Sequence, residues 1–444
     1  MPHTVPARSQ PCRSFIRPFS RSTFFLLLVM SHIVHGWVSQ PDGRGTFDIV
    51  WSSLLTVFLC TWTVLCLNLP AKTDSYSRRM FRKFRWMLLA IIGPEFVLSF
   101  AIGQWASAKR SQKQFDMPEW TMRHAFFADM GGFVLQPRES APFSINAKQL
   151  YWLVTNGYMP IPAVEDSDIS DKSKADGFAK IFTISQVSWF LIETLGRAVQ
   201  KLEITTLELS SIAIVACTLA TFFCWLNKPL DVAVPIVIPI SASSSEIILR
   251  AGEAAAKPYL QTPLDFIDNQ GPSWSTDVML KINFRTGPSV RPLDRLGNDR
   301  IPHLPSSATA ILFFLTLLYS SMHIIGWNFS FATVTEKILW QVCSVTILVT
   351  TVMFWAVDRF EAWRRHGLWG FWMRRLVRRK GEEVLPPSRA EYKVSWIEFA
   401  INLILMISYT LSRIYLMVEV FVGLRALPES TFQSVDWANL IPHL

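Results

Sequence analysis

The chain has 444 residues, 50% of them hydrophobic, with 18 Trp and 32 Phe and only 17% charged. That composition excludes an ordinary soluble protein of two or three domains and fits a multi-pass membrane protein. The net charge of +9 is not a nucleic-acid signature. Its basic residues gather at the ends of apolar runs, where membrane proteins set their topology, so no nucleic-acid partner is expected.

Apolar runs occupy about 22–38, 48–68, 83–104, 178–199, 207–226, 307–327, 336–357 and 394–416. About 20 helical residues cross the ~30 Å hydrocarbon core, and most of these runs are long enough. The expectation is an all-α polytopic bundle of about seven to eight helices, forming one integral membrane domain over 1–444. The connections 105–177 and 227–306 are long and rich in Pro, Asp and Ser, and they hold Trp120, Trp152 and Trp274. Loops of that length with large aromatics are expected to pack as caps on the bundle.

The first run, STFFLLLVMSHIVHGW, follows Arg13, Arg17 and Arg21. It is either a signal peptide or a retained helix; His32, His35 and the lack of an A-x-A site favour the helix. The connector from His35 to Asp48 is rich in turn residues and carries Asp42, Arg44 and Asp48. It reads as an ordered cap closing one mouth of the bundle.

The third run contains the stretch IIGPEFVLSFAIGQW, residues 91–105, with Gly93, Pro94 and Glu95 in its middle. Glycine and proline weaken a helix interior. Non-helical backbone at membrane depth is tolerated only where it is buried in protein or lines a cavity. The charge pattern adds a second anomaly. The stretches RRMFRKFR at 78–85, AKRSQK at 108–113 and the basic segment 359–380 are all expected on the cytosolic side. A single crossing by 83–104 would put the first two on opposite sides. Either this segment is re-entrant, turning at Gly93–Pro94, or residues 121–136 make an extra short crossing.

Glu95 is the leading candidate for chemistry. An ionisable residue at bilayer depth is costly and faces an interior or a pathway. Dehydration favours the neutral carboxyl that a general acid needs. The competing role is a hydrogen bond that holds the kink. Asp129, in FFADMGGF, is the second candidate, as a pocket rim or as part of an ordinary turn. Glu193 is the third; Arg197 lies four residues on, on the same helix face, so an ion pair competes with a catalytic role. Glu208 reads as interfacial, His323 as a packing residue, and Arg413 as snorkelling or pairing with Glu419. The six cysteines form no close pair and no zinc-ligand spacing. There is no P-loop, GxSxG, HExxH or acidic metal–diphosphate cluster, so neither a cofactor nor a metal is expected.

Carboxylic acids and abundant aromatics in a membrane bundle suit proton-initiated cyclisation of an isoprenoid. A carboxyl donates the proton, aromatic faces stabilise the cation, and a dry cavity protects it from water. Bundle packing and interfacial belts also account for the aromatics.

The stretches HGWVSQPDGRGTFDIVWS, LCTWTVLCLNLP, GPEFVLSFAIGQWASAKRS, TLELSSIAIVAC and FFCWLNKPLDV resemble a family of filamentous-fungal multi-pass membrane proteins, over roughly residues 35–360. Its characterised relatives resemble membrane-bound terpene cyclases of the ascofuranone type. The resemblance implies a cofactor-independent cyclase of an epoxidised prenyl chain in fungal secondary metabolism. The implied setting is the endoplasmic reticulum or another endomembrane, with the bilayer, a hydrophobic isoprenoid and neighbouring pathway enzymes as partners. It transfers no catalytic residue. The alternative is a non-enzymatic membrane protein, such as a transporter or receptor.

Overall fold

The computed structural model describes residues 33–39, 43–71, 73–171, 176–256, 259, 261–268, 292, 295–298, 304–366 and 396–437. Most of the run 22–38, Cys12, Trp274 and most of the basic segment 359–380 lie outside the described residues. The protein is mostly helical. Its α-helices are α1 (Thr46–Thr63), α2 (Tyr76–Ile92), α3 (Pro94–Phe115), α4 (Met122–Asp129), α5 (Ala147–Thr155), α6 (Asp166–Asp171) and α7 (Asp176–Val199). There follow α8 (Thr206–Cys224), α9 (Ser244–Ala251), α10 (Asp265–Asp268), α11 (Ser306–Ile325), α12 (Val334–His366) and α13 (Trp396–Val422).

Five helices, α1, α8, α11, α12 and α13, are long and apolar enough to cross a membrane; the bent pair α2–α3 makes up to six. These match the runs predicted near 48–68, 207–226, 307–327, 336–357 and 394–416. The run 178–199 does form a helix, α7, but α7 is not among the five. Lipid-type surface is plain on several helices. Ile338, Val342, Val345, Val349 and Val352 of α12 and Ile404, Ile407, Leu411, Ile414 and Val418 of α13 are all exposed. A stripe of apolar residues left outside a folded core is what a helix facing hydrocarbon needs.

The two predicted capping loops are more ordered than expected, and they join. The first contains the end of α3, then α4–α6 and an antiparallel hairpin of β2 (Phe133–Gln136) with β3 (Phe143–Ile145). The second supplies β4 (Ile236–Pro239), which pairs in parallel with β2, so both loops build one cap. Its core is Phe126, Phe127, Phe133, Phe143, Ile145, Leu150 and Leu153. The stretch 121–136 is spent on the eight-residue α4 and on β2 inside this core, too short and too deeply packed for an extra crossing.

At the opposite end, β1 (Ile33–His35) pairs antiparallel with β5 (Ala426–Pro428). Arg44 N donates to Phe432 O at 3.0 Å and Gly36 N to Arg425 O at 2.9 Å. The connector thus closes one mouth of the bundle, as its turn residues suggested, and the C-terminal segment is its partner.

The break at Gly93 bends α2 and α3 by 111°. Contacts along both arms show where each one runs. Arg82 Nη2 donates to Asn68 O at 3.4 Å, and Lys83 Nζ bonds Asp231 Oδ2 at 2.7 Å. On the other arm Gln104 Oε1 accepts from Lys228 Nζ at 2.7 Å and from Trp225 Nε1 at 3.1 Å. Asn68 follows α1, while Trp225, Lys228 and Asp231 follow α8, so both outer ends meet the cap end of the bundle. The apex reaches Tyr409 and Arg413 in the interior of α13. The pair is therefore sharply bent at Gly93–Pro94, as a re-entrant loop or a broken span would be, and both of its arms reach the cap end of the bundle.

Candidate functional site

The bend at Gly93–Pro94 creates two half-helix ends side by side. Gly93 and Pro94 interrupt the ladder, so the Ile91 and Ile92 carbonyls lose their helical partners. Arg413 replaces them: Nε donates to Ile92 O at 2.9 Å and Nη2 to Ile91 O at 3.4 Å. A cation at the C-terminal end of α2 also complements its dipole. Glu95 occupies the first turn of α3, where a carboxylate meets the positive end of the next helix. Break, acid and arginine thus form one unit.

Around Arg413 lies a buried polar cluster drawn from four helices. Its Nη1 donates to His323 Nε2 of α11 at 2.7 Å, and its guanidinium sits 5.2 Å over the Tyr319 ring. Tyr409 donates its hydroxyl hydrogen to Glu95 Oε1. Cys217 of α8, Glu95 and Arg413 lie within electrostatic range of Tyr319. Because Arg413 has only donors, Nε2 of His323 must accept, which leaves the proton on Nδ1. His323 O in turn accepts from Trp340 Nε1 at 3.1 Å, fixing the backbone beneath the ring.

Three buried polar atoms of this cluster have no partner among the described residues: Glu95 Oε2, Tyr319 Oη and His323 Nδ1. Leaving a buried polar group unpaired costs about 1–3 kcal/mol, so three together need an explanation. His323 Nδ1–H is a donor, Tyr319 offers a hydroxyl, and Glu95 donates when neutral.

The three acids singled out in the sequence do not converge. Glu95 alone belongs to this cluster. Asp129 ends α4 in the cap, and its Oδ1 accepts from Ala147 N at 3.1 Å, tying down the start of α5. The glycines after it make an ordinary turn: Gly131 has φ +81°, and a Cβ on Gly132 would lie 2.5 Å from the Phe127 ring. Glu193 sits 3.8 Å from Arg44 Nε, at the end of the bundle where the C-terminal segment 423–437 lies as a strap against the connector. The Glu193–Arg197 pair expected from helical spacing does not form. Arg197 is fully buried and donates instead to the carbonyls of Glu203, Ser430, Thr431 and Gln433.

Other residues also read differently in three dimensions. Glu208 is buried in the first turn of α8; it ion-pairs with Arg44 and accepts from Thr205 N at 2.8 Å, closing a capping box on α8. Arg413 neither snorkels nor pairs with Glu419, whose carboxylate accepts from Tyr415 at 3.3 Å. Arg413, Tyr409 and Tyr319 were missed as site residues. One signal was present: an arginine inside the run 394–416 and a glutamate inside 83–104 are mutually explanatory when both sit at membrane depth.

At the cap end Lys228 is buried, bonded to Gln104 and sitting 4.7 Å over the Trp225 ring. Burial pushes its ammonium down to about 8, with Cys66 and Asp129 acting in the opposite direction. Each end of the bundle thus carries a buried, charged network. Among the described residues no group of three or more His, Cys, Asp or Glu is placed to hold a metal ion.

The sequence model of a family of unknown function, DUF8562, matches residues 21–250 and 299–444. No curated protein and no solved structure matches the chain.

Proposed function

This chain belongs to the DUF8562 family, and we propose that it is an intramembrane acid–base enzyme, a terpene cyclase acting on an epoxidised or otherwise oxygenated isoprenoid. In this reading α1, α7, α8, α11, α12 and α13 cross the bilayer and α2–α3 enters it as a re-entrant hairpin from the cytosolic side. The basic stretches 78–85 and 108–113, at the two outer ends of the hairpin, then share that side, as the distribution of Lys and Arg requires.

The observation that carries the proposal is Glu95 Oε2: a buried carboxyl oxygen without a protein partner, at a helix break held open by Arg413. Exclusion of water favours the neutral acid, whereas Arg413 and the α3 N-terminus favour the anion. Opposed influences suit a group that gives a proton and takes one back. Glu95 protonates the epoxide oxygen. The C–O bond breaks as an alkene of the same chain forms a C–C bond to that carbon. The final carbocation loses a proton, so one proton enters, one leaves, and the product is an isomer. In this reading the His323 Nδ1–H and the Tyr319 hydroxyl hold the developing hydroxyl, and the Tyr409 ring favours the passing cation.

A transporter needs a polar route between the two sides. The interlocked networks at Arg44–Glu208 and Lys228–Gln104 support a site closed at both ends instead. The test is expression in a fungal host fed an epoxy-prenylated phenol, with product analysis for the wild type and for Glu95→Gln. A cyclised isomer formed by the wild type and lost in Glu95→Gln supports the reading. Unchanged substrate with the wild-type protein present in microsomes removes it.

A further inference from the structure

The polar cluster is sealed unevenly. His323 is 0% exposed, Tyr319 1% and Arg413 2%, whereas Glu95 retains 9%. The cluster therefore comes closest to the outside at its acid. The surface there is not aqueous in character. Phe96, the next residue, is 47% exposed, and Ile92, just before the break, is exposed as well. The Phe96 ring meets Tyr409 edge to face, with centroids 6.2 Å apart, and Tyr409 is half-buried and bonded to Glu95.

Gly93 makes room for this arrangement. Its φ of −147° is extended backbone open to any residue, so its need is spatial. A Cβ at that position would lie 2.5 Å from Phe96 Cδ2. The Phe96 ring is thus folded back against the bare glycine, with its other side on the apolar exterior. A ring held by one aromatic contact and facing lipid swings outward at little cost, because lipid replaces the lost contact.

We infer that Phe96 and Tyr409 form a lateral door through which an uncharged, bilayer-dissolved isoprenoid reaches Glu95 from the lipid side. The inference rests on the acid–base reading of Glu95 for its destination, but the door itself stands on exposure and ring contacts. It also accounts for the chemistry of the surroundings: each end of the bundle carries a buried charged network, whereas the surface at Phe96 is apolar. A substrate carrying a diphosphate would be excluded by the cost of bringing its charge through the apolar surface.

The test uses the full chain in lipid nanodiscs and a diazirine-bearing farnesol as probe, with adducts mapped by mass spectrometry. The expected result is labelling concentrated on peptides covering 92–100 and 406–413. It should stand several-fold above that on the lipid-facing Val345–Val352 surface of α12 and be suppressed by excess unlabelled farnesol. Phe96→Trp, which fills the door, should lower this labelling, and Phe96→Ala should raise it. Labelling no greater than on α12, or unaffected by both variants, overturns the door. Glu95→Gln separates the two proposals. Labelling kept and conversion lost supports both. Labelling and conversion both kept sinks the acid alone. Conversion lost with no concentrated labelling in the wild type sinks the door alone.

Discussion

Tyr409, near the middle of α13, donates its hydroxyl hydrogen to Glu95 at the break between α2 and α3. One bond therefore joins the interrupted helix to an intact one, and it leaves the second carboxyl oxygen of Glu95 for another partner. A carboxyl used only to hold a kink has no reason to keep an oxygen unpaired in a buried cluster.

Glu95→Gln preserves the shape of the side chain and its ability to accept from Tyr409, but it has no carboxylic proton. We expect the fold and membrane insertion to survive and product formation to fall by about 10²–10⁴-fold, the usual contribution of a general acid. Glu95→Asp should retain more activity than Glu95→Gln. Product per unit of protein in microsomes decides it; wild-type yield from Glu95→Gln would return this residue to a structural role.

Arg413→Leu should cost more in stability than in expression. It strips the donors from the Ile91 and Ile92 carbonyls and from His323 Nε2. Each buried group left unsatisfied costs about 1–3 kcal/mol. Thermal unfolding in detergent should show a clear loss for Arg413→Leu and a smaller one for Arg413→Lys, which keeps the charge but lacks the fork. A melting curve unchanged by Arg413→Leu would contradict the capping role.

Arg197 holds the strap. Its guanidinium serves the carbonyls of Ser430, Thr431 and Gln433, so Arg197→Met should free the segment 423–437 before the bundle unfolds. Limited proteolysis should then cut within that segment under conditions that leave the wild type intact. Gln200→Ala, which removes two exposed bonds to the Asp436 backbone, should loosen the segment less than Arg197→Met.

Lys228 makes stability pH-dependent. Its folded value is pushed down to about 8 from an ordinary 10.5. Between those values the unfolded chain binds the extra proton, so stability rises with pH across that window; below about pH 8 the buried ammonium carries its full dehydration cost. The melting temperature should therefore climb from pH 8 towards 10 in the wild type relative to Lys228→Met. Parallel curves for the two proteins would show that Lys228 does not contribute.

The hairpin is open to a direct check. Single cysteines at Arg79, Lys109 and Arg359 should all be labelled by an impermeant reagent from the same side of the membrane. Labelling of Lys109→Cys from the side opposite Arg79→Cys would make α2–α3 a broken crossing.

The sequence by itself determined the class of protein and most of its helices. Runs of about 20 apolar residues have few ways to satisfy their backbone except as membrane-scale helices, and that constraint is local. It also exposed the anomaly at Gly93–Pro94–Glu95, because chain breakers and an acid inside such a run violate a local rule. Partner choice was not local. Helical spacing matched Glu193 to Arg197, yet Arg197 went to four carbonyls of other segments and Glu193 to Arg44, since a buried guanidinium takes whatever acceptors tertiary packing brings within reach. The sequence ranked Glu95 first among the three acids, but only folding assigned their partners: Asp129 onto a helix start in the cap, Glu193 onto Arg44 at the strap end, and Glu95 onto Tyr409 beside Arg413. Two solutions for the charge pattern were open in the sequence. Tertiary structure adds that residues 82–83 and 104, on either side of the break, find partners at the same end of the bundle, because those partners follow α1 and α8, far away in the chain.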